Sequence, residues 1–280
     1  MKTILVLTDF TAHSKAAAKF AMALAQHYNS NILLYNAYYI PNAITIDAGM
    51  YQPYYGDYEE FEKESLNKLK NLAEELRSLA DFNPDIKIPE IEWMNDLGKI
   101  GDTIGDLLER RDIWMVVMGD KSHILMNNLF SGSDTDNVIR NVSCPVLVVP
   151  EKAIFTPFNR IALASSSFDQ HDIYALNFIF DLIKNSDAKI NIVHVPEHLA
   201  DAHKESITRV PSPVFDNRVS YCVVTNGNID EALIKFVQEE KCDLIVLVHK
   251  RYKFFEGLFH KSVIKSMIGT HLIPTLVFNY

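Results

Sequence analysis

Small and acidic residues follow two apolar runs near the start and the middle of the chain. Asp9 follows the first run, and Gly119 follows the second, in Val117-Met118-Gly119-Asp120-Lys121-Ser122. Gly132-Ser133 then opens a stretch of helical period. Glycine lets a backbone approach a ligand closely, and a helix start offers free N–H groups and a favourable dipole to phosphate. This spacing indicates an anion site with a carboxylate beside it.

Each of these residues also has a structural explanation. Ser133-Asp134-Thr135-Asp136 is close to a capping box, Gly119 could simply end a strand, and Asp9 could cap the next helix or pair locally. The joint placement at strand ends favours the ligand interpretation. In open parallel sheets, ligands bind beyond the carboxyl ends of strands at the point where the strand order reverses.

The elements that must position these residues alternate along the chain. Short apolar runs alternate with amphipathic segments of helical period, which indicates βαβ units and a parallel sheet. The predicted strands are 4–7, 32–37, 88–94, 114–118, 146–149, 161–164, 190–195, 219–224, 244–248 and 274–277. The predicted helices are 14–28, 59–80, 100–111, 133–142 and 172–184.

This order of elements is written twice. Residues 190–195 match 32–37 at an offset of 190 − 32 = 158, and Gly227 matches Gly98 at 227 − 98 = 129. The difference, 158 − 129 = 29, is extra length in the first copy, within 41–80. The duplication predicts two domains, 1–150 and 151–280, joined by a linker at 150–159.

Composition excludes several classes of function. The chain has 280 residues, and its formal charge is 27 − 36 = −9, so we expect no general nucleic-acid or anionic-membrane binding. No apolar run approaches the roughly 18 residues of a membrane helix. Cys144, Cys222 and Cys242 form no CxxC pair, which fits a reducing cytoplasm and no cysteine-based metal site.

The spacing around Gly119 resembles that of a known family. Gly119-Asp120-Lys121-Ser122, nine further residues and then Gly132-Ser133 are similar to the Gly-x2-Gly-x9-Gly-Ser/Thr motif of nucleotide-binding universal stress proteins, the UspA family. Ser122 replaces the second glycine. Residues 144–149 resemble the last strand of that family, and the resemblance covers essentially the whole chain, twice over. The chain is thus identified as a tandem member.

The resemblance implies a fold and a ligand. The fold would be α/β, with two tandem, doubly wound, parallel five-stranded sheets of strand order 3-2-1-4-5, similar to the adenine-nucleotide alpha-hydrolase-like fold. ATP or AMP, with or without Mg²⁺, would bind in the first domain. Asp9 would accept bonds from the nucleoside, and Ala37 and Met118 would line the adenine slot. Gly119 and Ser122 would begin the phosphate loop, and Gly132, Ser133 and Thr135 would hold the phosphates. The implied nucleotide-binding residues are Asp9, Ala37, Met118, Gly119, Ser122, Gly132, Ser133 and Thr135.

The second copy departs from the motif. Its first strand ends in Ser165-Ser166-Ser167, without the acid, and His249 is taken to replace the first glycine. Side chains at such positions would crowd a pocket lined by backbone, so the second copy is expected to have lost the nucleotide site. The alternative is an anion site of another kind, although a solvated basic loop also explains this segment. Its residues would be Lys250, Arg251, Lys253 and His260.

The leading hypothesis is a cytoplasmic stress-response protein that binds an adenine nucleotide in its first domain and is regulatory rather than strongly catalytic. The chain has no Walker A loop, GxGxxG or GxSxG, so it predicts no catalytic residue and at most a slow ATPase. The alternative is a scaffold that binds no nucleotide and contacts protein partners through the Tyr-rich segment 41–58. In the family that the chain resembles, the last strand often pairs across a dimer, which implies that strands 146–149 and 275–278 could pair as an internal pseudo-dimer, with a homodimer as the other possibility.

Overall fold

The computed structural model describes residues 2–38, 44–47, 50–53, 58–80, 87–120, 134–165, 169–194, 206–210, 216–226, 229–249 and 273–280. The strands are β1 (Thr3–Leu7), β2 (Asn31–Tyr38), β3 (Ile44–Asp47), β4 (Met50–Pro53), β5 (Ile91–Leu97), β6 (Met115–Gly119), β7 (Val146–Val149), β8 (Arg160–Ser165), β9 (Lys189–His194), β10 (Ser206–Val210), β11 (Val219–Asn226), β12 (Leu244–His249) and β13 (Thr275–Asn279). The helices are α1 (Ala12–His27), α2 (Tyr58–Ser78), α3 (Ile100–Arg110), α4 (Asp134–Asn141), α5 (Gln170–Leu182) and α6 (Ile229–Glu239).

The predicted fold class is confirmed. In the first copy, β5-β2-β1-β6-β7 are neighbours in that order and pair in parallel, which is the order 3-2-1-4-5. In the second copy, β11-β9-β8-β12-β13 repeat it. The strand order reverses between β1 and β6 in one copy and between β8 and β12 in the other.

The two sheets are joined into one. Strands β7 and β13 pair antiparallel, with Leu147 opposite Leu276 and Val146 opposite Val277, so the predicted pseudo-dimer pairing is confirmed. The result is a continuous 11-stranded sheet. Each last strand would otherwise be an edge, and an exposed edge of four apolar residues invites pairing with another chain. The duplication places a matching edge on the same polypeptide.

Alternation along β1 assigns the helices to two faces. Ile4 and Val6 lie in a core cluster with residues of α1, α2 and α5, whereas Leu5 and Leu7 lie in another with residues of α3 and α4. Helix α6 covers the corresponding face of the second copy. Strands that are buried on both faces have near-continuous apolar runs, and β1 shows this pattern from Ile4 to Leu7.

Aromatic side chains from the linker and both copies pack at the joint. Phe155 of the linker packs edge-on against Phe20 of α1, with 5.4 Å between ring centroids. Trp114, just before β6, stacks on Phe178 of α5 at 5.6 Å, and Lys2 pairs with Asp181. The linker is therefore packed against the first helix.

Several element boundaries differ from the sequence prediction. Strand β5 begins at Ile91 and not at residue 88, as the sequence predicted, and the side chain of Ile88 is exposed. On α2, Leu79 is 53% exposed and Ser65 is buried in the apolar face. The Tyr-rich loop contains the hairpin β3–β4, β10 adds an antiparallel edge strand to β11, and α6 was not predicted.

In the described residues, no helix combines the length and apolar character that crossing a membrane requires.

Two buried thiols predict a loss of stability in alkali. Burial raises the pKa of Cys144 to about 11 and that of Cys242 to about 12. Because the unfolded thiols lose their protons near pH 9, the unfolded state binds fewer protons above that pH, and stability falls as pH rises. Each thiol should cost about 2 kcal/mol between pH 9 and 11. Denaturant titrations should show this fall, and a Cys144→Ala, Cys242→Ala double variant should show a smaller fall. Equal slopes in both proteins would contradict the assignment.

Candidate functional site

A cleft of about 290 Å³ opens at the carboxyl ends of β1, β2 and β6. It lies where the strand order reverses, between β1 and β6, which is where open parallel sheets bind their ligands. Four residues that the sequence predicts as nucleotide-binding line it together: Asp9, Ala37, Met118 and Gly119. They come from three strands that are far apart in the chain, and the parallel sheet alone brings their ends together.

The other four predicted residues form the expected phosphate end. Ser122, Gly132 and Ser133 lie outside the described residues, and so do the second copy's Lys250, Arg251, Lys253 and His260. Thr135 lies in the first turn of α4, in which the structure describes the backbone but not this side chain. The phosphate end therefore stays a prediction.

The cleft has further walls that the sequence analysis did not assign to a site. Thr8, Ser14 and Asn36 line it as buried polar side chains, and residues 98–100 close one side. A polar Asn36 inside an otherwise apolar strand was a usable signal, because buried polar groups occur mainly where a partner satisfies them. The repetition of the Gly98 region in both copies was a second signal.

The packing of α1 against β6 requires a glycine at position 119. A Cβ built on Gly119 would lie 2.5 Å from the carbonyl oxygen of His13 and 2.9 Å from the amide nitrogen of Ser14. Real Cβ atoms do not approach backbone so closely, so the first turn of α1 could not stay in place beside a larger residue. The glycine brings the start of α1 to the end of β6, and this approach forms the floor of the cleft.

The loop between β1 and α1 holds Asp9 in position. Oδ1 of Asp9 accepts hydrogen bonds from the hydroxyl of Thr11 at 2.6 Å and from its amide at 3.2 Å. Thr11, not Asp9, caps α1, accepting from the amide of Ser14. Phe10 between them has a φ of +65°, which costs a bulky residue roughly 1–3 kcal/mol. This strained turn directs the chain from the strand into the helix and leaves Asp9 exposed at the cleft.

A buried chain of hydrogen bonds supports this loop from behind. The amide nitrogen Nδ2 of Asn36 donates to the carbonyl oxygen of Thr8 at 2.7 Å, and the hydroxyl of Ser65 donates to Oδ1 of Asn36 at 2.8 Å. The hydroxyls of Thr8 and Ser14 lie 3.1 Å apart and share a further bond. All four residues are at most 6% exposed. A network that is satisfied in this way fixes a single arrangement of the cleft wall.

Asp9 and Lys99 bring charged groups of both signs to the cleft. Lys99, at the start of α3, lines it as an exposed cation. Asp120 directly follows Gly119 and is 1% exposed. A phosphate near Asp120 would be repelled unless a cation lies between them.

The second copy has a different residue at the glycine position. Gly119 pairs with Val149, and Val248 pairs with Phe278, so 278 − 149 = 129 places Val248 in the register position of Gly119. The sequence-based placement of His249 there was wrong by one residue. Because Val248 has the side chain that Gly119 lacks, α5 cannot approach β12 as α1 approaches β6.

A carboxylate replaces a hydroxyl at the start of the corresponding helix. Asp169 caps α5 and Thr11 caps α1, at an offset of 169 − 11 = 158. The third helical residue is Asp172 in α5 and Ser14 in α1. Asp172 is fully buried. The second copy therefore has a buried acidic side chain at the position where the first copy has Ser14, which lines the cleft.

A model of the universal stress protein family matches residues 1–150 and again residues 157–279. The chain belongs to the universal stress protein family. The predicted tandem arrangement of this universal stress protein is confirmed, because the two matches together cover nearly the whole chain.

Curated relatives of this universal stress protein match about half of it. A universal stress protein of Synechocystis sp. is 29% identical over 151 residues, covering 52% of this chain and 96% of that protein. One of Thermus aquaticus is 29% identical over 149 residues, covering 53% and 98%. A solved universal stress protein of Archaeoglobus fulgidus shares the fold along the whole length. It has a TM-score of 0.70 and 14% identity, and the alignment covers 99% of this chain and 98% of that one.

Proposed function

We propose that this universal stress protein binds an adenine nucleotide, ATP or AMP, in the cleft of its first domain, residues 1–150. It acts as a regulatory stress-response protein of the cytoplasm and has at most slow ATPase activity. The observation that carries the proposal is the cleft at the strand-order reversal, which brings together Asp9, Ala37, Met118 and Gly119. Its volume of about 290 Å³ lies near the lower end of the roughly 300–1,000 Å³ of small-molecule pockets.

The chemistry of the cleft suits a nucleoside. Ala37 and Met118 offer an apolar slot for a planar base, and the ends of β2 and β6 offer backbone groups to its edge. Asp9 is held by Thr11 through one carboxylate oxygen, and at the cleft it can accept bonds from ribose hydroxyls. Such charge-assisted bonds are stronger than bonds between neutral groups.

The phosphates would follow the loop after β6. Ser122, Gly132, Ser133 and Thr135 are proposed to hold them beside the start of α4, since the sequence repeats the family motif there with one substitution. Asp120 opposes a high negative charge at this end. Binding should therefore favour AMP over free ATP, and Mg²⁺ should improve the binding of ATP by offsetting charge.

Two replacements in the second copy lead us to expect one bound nucleotide per chain. Val248 stands in place of Gly119, and the buried Asp172 stands in place of Ser14. The first change removes the close approach of helix to strand, and the second places a negative charge where an anionic ligand would lie. Domain 151–280 would then preserve the fold and the joint without a nucleotide.

Replacing Asp9 tests the placement of the site. Asp9→Ala should weaken the binding of AMP and ATP by about tenfold or more, because it removes a charge-assisted bond. Asp9→Asn should fall between alanine and wild type, since it preserves an oxygen acceptor for Thr11 and loses the charge. Isothermal titration calorimetry with each nucleotide, with and without Mg²⁺, measures both effects.

The matched control is Asp112→Ala. Asp112 is an exposed aspartate that precedes β6, at the amino ends of the strands and away from the cleft. Its loss should leave the nucleotide affinity unchanged. Equal affinities for wild type and Asp9→Ala would disprove the placement. No binding to the wild type at millimolar nucleotide would instead favour the alternative function, a scaffold that contacts partners through segment 41–58.

A further inference from the structure

We propose that helix α2 positions the nucleotide cleft, with Ser65 and Asn36 as positioning residues, so that occupancy of the cleft and stability of α2 are coupled. This inference rests on the proposed function and assigns a regulatory role to the insertion of the first copy. The insertion, within 41–80, contains the hairpin β3–β4 and α2.

Two paired asparagines attach the sheet to α2. Asn36 of β2 and Asn95 of β5 are register partners. Asn36 accepts from the hydroxyl of Ser65 at 2.8 Å, and Asn95 donates through Nδ2 to the carbonyl oxygen of Glu62 at 3.1 Å. Glu62 and Ser65 are three residues apart and so lie on one face of the helix. The polar ends of both strands therefore bond to the same turn of α2.

The attachment continues to the cleft itself. Asn36 lines the cleft and holds the carbonyl oxygen of Thr8, the residue before Asp9. Because Ser65 and Asn36 are 5% and 6% exposed, water does not readily replace a lost partner there. A displacement of Ser65 would release Asn36 and, through it, the end of β1.

A second contact reaches the same loop. The ammonium group of Lys68 lies over the ring of Phe10, 5.7 Å from its centroid. Phe10 has the positive φ that carries the chain from Asp9 into α1. Helix α2 thus touches the loop at Phe10 and supports it from behind at Thr8. A strained turn persists only where its surroundings hold it, and α2 supplies part of those surroundings.

The described part of the second copy lacks this arrangement. Between β9 and β11 its described residues contain the strand β10 and no helix. In the second copy the position of Asn36 is occupied by His194, which is the register partner of Ser165. The ring of His194 stacks on that of Tyr221, with 6.1 Å between the ring centroids. The helical insertion and the described cleft with Asp9 therefore occur in the same copy.

Linkage gives the test two readouts. If α2 positions the cleft, then a nucleotide in the cleft must stabilise α2 by the same coupling free energy. In the full chain, Ser65→Ala should weaken AMP binding by about tenfold. AMP should slow amide hydrogen exchange across residues 58–78 in the wild type and much less in the variant. A purely structural role for Ser65 would leave this ligand-dependent protection unchanged.

Ser78→Ala is the matched control. Ser78 is an exposed serine at the end of the same helix, where its hydroxyl donates to the carbonyl oxygen of Glu75, and its loss should change neither readout. Asn95 does not line the cleft. Asn95→Ala should weaken AMP binding about threefold, and it serves as the second variant if Ser65→Ala folds poorly. Wild-type affinity in both variants, with no protection of α2 by AMP, would overturn the coupling and leave the proposed function intact. No binding of AMP or ATP to the wild type would overturn both.

Discussion

Replacing Gly119 with alanine is expected to lower the free energy of unfolding by about 3 kcal/mol. The new Cβ would lie 2.5 Å from the carbonyl oxygen of His13. That oxygen belongs to backbone in the first turn of α1, so a side-chain rotation cannot relieve the contact. Helix α1 must shift away from β6, which opens the floor of the cleft, and nucleotide affinity should fall with stability. Urea denaturation followed by circular dichroism measures the first effect, and calorimetry the second.

Gly105→Ala is the control for this prediction. Gly105 lies inside α3, and among the described residues no atom outside the adjoining backbone of that helix lies within 4 Å of the Cβ that alanine would add. Alanine there should raise stability by about 1 kcal/mol, because glycine in a helix interior costs conformational entropy. If Gly119→Ala unfolds at the same urea concentration as the wild type, the close approach of α1 to β6 is wrong.

Replacing Leu276 with alanine is expected to cost about 3 kcal/mol and to destabilise both copies together. Leu276 is 1% exposed and lies opposite Leu147, which is 2% exposed, in the antiparallel pair that joins the sheets. Both belong to the core cluster that runs through α1 and α5. A cavity at this point weakens packing on each side of the joint. Thermal unfolding should therefore shift to lower temperature as a single transition.

Leu79→Ala provides the comparison. Leu79 is 53% exposed on the last turn after α2, so the same substitution should change stability by less than about 0.5 kcal/mol. Two separate unfolding transitions in Leu276→Ala, with only the second copy destabilised, would show that the copies fold independently. The continuous sheet would then contribute little to their cooperation.

Periodicity and repetition predicted most of the fold. Strands that are buried on both faces, such as β1 and β6, appear in the sequence as apolar runs, and helices as apolar faces. Two offsets, 158 and 129, predicted the tandem copies, whereas the pairing of β7 with β13 was implied by the resemblance to the family. The hairpin β3–β4 and strand β10 lie in the segments where the copies differ in length, so repetition gave no information about them.

The details of the cleft depended on contacts between distant residues. Ser65 interrupts the apolar face of α2 because its hydroxyl donates a hydrogen bond to Asn36, which is 29 residues away in the sequence. Gly119 could be predicted as a point of close approach, but not that α1 is its neighbour. The substitution of Val248 for Gly119 required strand register, since a shift of one residue in a strand changes the face on which a side chain lies.

Crystals grown with AMP, and with ATP and Mg²⁺, test the central claim most directly. We expect electron density for one adenine nucleotide per chain, with its ribose at Asp9 and its base between Ala37 and Met118. A first cleft that stays empty at millimolar nucleotide, or a nucleotide bound beside Val248 and Asp172 in the second copy, would contradict it.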